Sequence, residues 1–127
     1  RKNVSIALET LDFESLQQAL HDFPRLGVCL DPACIRWNSP HSLQEFIQMA
    51  GSRIQFLHLY DQRGELGHLT PGCGEIPAED WGCLVRYLRE SDFGGPAVLE
   101  IRPSPEKAHQ SPIEAALEAR EFLEGLE

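Results

Sequence analysis

Four apolar, strand-like runs each carry an acidic or imidazole side chain at or near their C-terminal end, and the stretches between them have helical periodicity. Glu9 follows residues 4–8, Asp31 follows 27–30, His58 lies within 54–59, and Glu100 follows 97–99. The intervals of 22, 27 and 42 residues (9 to 31, 31 to 58, 58 to 100) are roughly the 30 residues of a strand–helix–strand unit. Runs this apolar suit strands buried on both faces, so the pattern predicts an α/β fold with parallel strands and outer helices. If neighbouring strands are parallel, the four side chains converge at one end of one sheet. Three carboxylates and an imidazole gathered in that way are the donor set of a divalent-metal site.

The intervening elements are legible in outline. A strand is expected over 3–9, then a helix over 13–22 with Phe13, Leu16 and Leu20 on its apolar face. The second strand is 27–31, followed by an irregular stretch through Pro40. Ser42 and Glu45 have the spacing of a capping box at the start of a helix over 41–51. The third strand covers 54–60, and a long loop of 61–77 comes next, rich in glycine and proline. Loops of that length in compact domains are usually functional. Pro77 suits a helix start, with the helix over 78–91, and the fourth strand is 97–102. Ser111, Pro112 and Glu114 open a last helix that runs to 125.

Four such units in 127 residues are half of the roughly 250 that a closed (β/α)8 barrel needs. A lone half would leave two raw sheet edges and a bare inner face. The expectation is therefore a (βα)4 half of a TIM (β/α)8 barrel, completed by a missing N-terminal half or by a second copy, with the missing half favoured. The first residue is Arg1 rather than Met, which fits a piece of a longer chain.

A formal net charge of −9 repels phosphate backbones, so nucleic acid is not an expected partner. No apolar run approaches the ~20 residues of a membrane helix, and no signal-peptide pattern opens the chain, so a cytoplasmic location is expected. Cys29, Cys34, Cys73 and Cys83 lack CxxC spacing and are expected to be reduced thiols.

Each candidate ligand has a plainer reading. Glu9 is a surface glutamate closing a strand, Asp31 a helix cap before Pro32, His58 a hydrogen-bonded core histidine, and Glu100 an ion-pair partner of Arg63 or Arg102. Only jointly, at matching strand ends, do they favour the metal. Weaker candidates for substrate contact are His68 in the long loop, Cys34, Trp37 and Asp61, the last also a candidate to orient His58 or the loop.

The ordered set Ile6-Ala7-Leu8-Glu9, Gly27-Val28-Cys29-Leu30-Asp31, Ile54-Gln55-Phe56-Leu57-His58-Leu59-Tyr60-Asp61, Gly72-Cys73-Gly74-Glu75-Ile76 and Gly95-Pro96-Ala97-Val98-Leu99-Glu100-Ile101 resembles the xylose-isomerase-like barrels. That family includes sugar-phosphate isomerases and epimerases as well as apurinic endonucleases. The resemblance covers nearly all of residues 1–127 and corresponds to the C-terminal half of the barrel, its fifth to eighth strands.

The resemblance implies one divalent ion (Mn, Mg, Co or Zn) held by Glu9, Asp31, His58 and Glu100. It also implies that Glu9 and Glu100 move a proton on opposite faces of a carbohydrate-like substrate. Two positions depart from the family. Cys34 stands where a histidine is usual, and Leu66-Gly67-His68 replaces the Asp-x-His pair of the endonucleases. The expected function is therefore sugar or polyol isomerisation or epimerisation. A dehydratase or lyase of the same family and a non-catalytic scaffold are the alternatives, and a phosphodiester hydrolase is the least favoured. A homo-oligomer is compatible with any of these.

Overall fold

The structure, a computed structural model, describes residues 4–10 and 12–126. Residue 3, where the sequence pattern begins the first strand, lies outside them. Four strands form one parallel sheet: β1 (Ala7–Glu9), β2 (Gly27–Leu30), β3 (Ile54–Leu59) and, after a separate hairpin, β6 (Ala97–Leu99). Their spatial order is their chain order, as expected of one half of a TIM barrel.

Helices α1 (Phe13–Asp22), α3 (Leu43–Ala50) and α4 (Ala78–Glu90) connect the strands, and α5 (Pro112–Glu124) comes after β6. Val28, Leu30, Leu57 and Leu59 point to the helical side, where they pack with Leu16, Phe46, Trp81 and Leu84 in one buried core. The opposite sheet face is more open, with Val98 44% exposed.

Two expectations need correction. The stretch 32–40 is not irregular, because Pro32–Asn38 form a helix, α2. Asp31 caps it, accepting a hydrogen bond from the Cys34 amide at 2.8 Å, and Pro32 fits its first turn. At seven residues the helix is too short for its periodicity to stand out in the sequence.

The stretch 61–77 is also not a plain loop. It begins with an antiparallel hairpin, β4 (Asp61–Arg63) and β5 (Leu66–Leu69), turning at Gly64 with φ of 54°. The buried Asp61 carboxylate organises the segment beyond the hairpin. It accepts from the amides of Gln62 (2.8 Å), Gly72 (3.1 Å) and Ile76 (3.1 Å). Gly74 lies against this hub, where an added Cβ would clash with Asp61 Oδ1 and come within 2.5 Å of the Gln62 carbonyl. Gly74→Ala is expected to cost about 1–3 kcal/mol, read as a lower denaturation midpoint.

Both expected capping boxes are present, at Ser42/Glu45 and Ser111/Glu114. The backbone and side chain of Ser42 hold the Glu45 carboxyl at about 2, against an ordinary 4.5. With the folded value below the unfolded one, this contribution is complete above pH 4.5 and fades as pH falls towards 2. Stability should therefore fall less steeply over that interval in Glu45→Gln than in the parent, as measured by urea midpoints at stepped pH.

Candidate metal centre

The sheet register explains why the four strand-end residues share a face. Glu9 lies beside Cys29, and Asp31 is two residues further along the same chain, so side-chain alternation turns it the same way. His58 lies beside Val98, and Glu100 stands two residues beyond Val98. Leu30 pairs with Leu57, which places Asp31 and His58 at neighbouring levels. All four therefore project from the face opposite the helix-packed core.

Glu9, Asp31 and His58 offer ligand atoms that all lie within 4.8 Å of one another. His58 Nδ1 is 3.5 Å from Glu9 Oε1 and 3.6 Å from Glu100 Oε1. These separations are longer than hydrogen bonds. The Nδ1 atom is buried and has no hydrogen-bond partner among the described residues, although two carboxylates face it. An unpartnered buried nitrogen is costly unless something else satisfies it.

The local electrostatics point the same way. Burial pushes the Asp31 carboxyl up, the Cys34 amide opposes this, and Glu9 adds to the rise. Burial raises the Cys29 thiol to about 11, with Glu9, Asp31 and Glu100 each contributing. Burial and Asp31 also drive the Tyr60 hydroxyl upward. Negative charge is thus concentrated around a histidine whose Nδ1 has no hydrogen-bond partner among the described residues. A divalent cation would relieve that repulsion and occupy the nitrogen, so this donor set fits one.

Thr10 fixes the spacing between the first two strand ends. Its hydroxyl donates to the Cys29 carbonyl at 3.2 Å and accepts from the Asp31 amide at 2.8 Å. Sequence reasoning missed Thr10, Cys29 and Tyr60. A Thr directly after a candidate ligand is a weak signal, and the partners of Thr10 lie 19 and 21 residues away.

The remaining candidates sit at varying distances from this centre. Cys34 adjoins the site, with its thiol directed to the Thr10 carbonyl at 3.4 Å and raised in pKa mainly by burial. Trp37 is partly buried against the core, with the Arg36 guanidinium 6.0 Å from its ring centroid. Asp61 is fully buried and spends its oxygens on loop amides. His68 lies near the base of the hairpin, beside the Leu69 that pairs with Asp61, stacked on Tyr60 with ring centroids 4.4 Å apart. All four cysteines are free thiols. Among the described residues, no helix is long and apolar enough to cross a membrane.

Comparison with known proteins agrees with this architecture. A crystal structure of a D-tagatose 3-epimerase-like protein superposes with a TM-score of 0.64 at 20% identity, over 95% of this chain and 47% of the other. D-psicose 3-epimerase from Clostridium cellulolyticum H10, solved with D-tagatose, gives 0.58 at 22%, over 95% and 47%. The 3-keto-D-glucoside 4-epimerase of E. coli gives 0.63 at 15%, over 95% and 46%. The chain thus spans about half the length of these structures, and at such identities the likeness is one of fold. No curated protein gave a significant sequence match. The sequence model of the xylose isomerase-like TIM barrel matches residues 1–126, and the chain belongs to that family.

Proposed function

We propose that this chain is the metal-bearing half of a barrel that isomerises or epimerises a sugar or related polyol. The observation that carries the reading is the convergence of Glu9, Asp31 and His58 within 4.8 Å around a buried, unpartnered His58 Nδ1, with Glu100 at 3.6 Å. The solved structures of similar fold are sugar epimerases by name, which supports a carbohydrate substrate.

Glu9, Asp31, His58 and Glu100 would hold one divalent ion. Bound there, it would supply Lewis acidity to a hydroxy-carbonyl group and acidify the adjacent C–H. The chain's own residues do the proton handling. Glu9 comes from the outermost strand β1, Glu100 stands just beyond the opposite outer strand β6, and His58 lies between them. Two carboxylates on either side of one centre suit removal of a proton from one face and its return to the other. Asp31, capped into α2 and braced by Thr10, serves as the fixed acidic ligand.

A second reading, a barrel that retains the site but not the reaction, is favoured by Cys34. Its thiol is directed to the Thr10 carbonyl, where the family usually offers an imidazole. Proton exchange separates the two. The full-length, Mn-loaded protein incubated with ketohexoses in deuterated water should place deuterium at a sugar carbon. Stoichiometric metal without exchange would favour the scaffold.

A further inference from the structure

His68 has a place in the site that substrate contact does not explain. Its Nδ1 is 2.8 Å from the Glu100 carbonyl oxygen, which can only accept, so Nδ1 carries the hydrogen and donates. The His68 carbonyl in turn accepts from the Arg102 amide at 2.7 Å. Side chain and backbone of one residue thus clamp both ends of the segment 100–102. On its other side, Glu100 is tied to β3 through its own amide, which donates to the Leu59 carbonyl at 3.1 Å.

The clamp requires an unusual backbone. His68 has φ of 59°, a left-handed conformation that side chains with a β-carbon seldom adopt and that tends to persist where the surroundings over-determine it. The stack on Tyr60 holds the ring at the angle that Nδ1 needs. Tyr60 stands just past β3, two residues after His58.

We propose that His68 is a positioning residue that fixes Glu100 for metal binding, acting through the Glu100 backbone and not by touching substrate. This rests on the reading of the chain as the metal-bearing half of a sugar isomerase or epimerase. The hairpin β4–β5 becomes the part that sets the fourth ligand, which accounts for an ordered hairpin directly after the strand bearing His58.

Two substitutions isolate the donor from the backbone strain. Glycine and asparagine both accept the left-handed conformation, but only asparagine offers an N–H near the position of Nδ1. In the full-length protein, titrated with Mn2+ alone, His68→Gly is expected to weaken metal affinity by about 10- to 100-fold, with His68→Asn restoring most of it. Equal affinity in His68→Gly and the parent, or equal loss in both variants, would overturn the proposal. Amide hydrogen exchange over residues 100–102 provides a reading that needs no metal. Exchange should quicken in His68→Gly and be restored in His68→Asn. Unchanged exchange in His68→Gly would refute the clamp. If the parent bound no Mn2+ while exchange showed this pattern, the proposed function would fail and the clamp's role in metal binding with it, leaving only its structural part.

Discussion

Glu100→Gln in the full-length protein is expected to lower turnover by about 100- to 10,000-fold, the usual contribution of a positioned acid or base. Glutamine keeps the size of the side chain and removes its capacity to take a proton. Glu100 stands 3.6 Å from the buried His58 Nδ1, and its segment is held by the Leu59 carbonyl on one side and His68 on the other. The backbone contacts survive the substitution, so a loss belongs to the carboxylate and not to a collapsed loop. Glu9→Gln should give a loss of similar size from the other side of the site. Its side chain is more exposed, 57% against 35%. A pair that divides proton removal and return predicts that either variant fails in both directions of the reaction. Steady-state rates measured from each epimer check this.

Asp31→Asn has the second large effect, with opposite signs for metal and fold. Asparagine caps a helix about as well as aspartate, so the bond from the Cys34 amide is retained. The substitution removes a negative charge buried at 1% exposure and crowded by Glu9. Without metal the variant should be more stable than the parent by about 0.5–2 kcal/mol at neutral pH. Because the folded Asp31 pKa lies above its ordinary 3.8, the parent's penalty grows as pH rises above that value and disappears below it. The advantage of asparagine should therefore vanish in acid. With metal present at about 100 times its dissociation constant, the parent gains about 2.7 kcal/mol and the order reverses. Thermal unfolding of both proteins, with chelator and with Mn2+, reads the crossing directly. It also identifies the buried charge as a cost that the fold sustains for ligand binding.

Glu100 and Asp31 are visible in the sequence because apolar strands end abruptly and leave a polar side chain at a countable position. The parallel sheet is legible for the same reason, and the helices are legible where Ser42/Glu45 and Ser111/Glu114 mark their starts. What the sequence hides depends on contacts between distant residues. Helix α2 is short, and its cap is the same Asp31 that the strand-end pattern marks as a ligand. The β4–β5 hairpin has strands of three and four residues, and the chain after it is ordered by amides converging on Asp61. Thr10 braces the site through partners on another strand, and the His68 link to Glu100 spans 32 residues. Local pattern identifies elements and their polar ends. It does not reveal which side chains hold those ends in place.

The most direct test is the metal content of the full-length protein purified without added chelator. One divalent ion per chain is expected, removable by chelation, restored by Mn2+, and absent from Asp31→Asn, which should remain folded. A folded parent that binds no stoichiometric divalent ion under any loading condition would contradict the central claim.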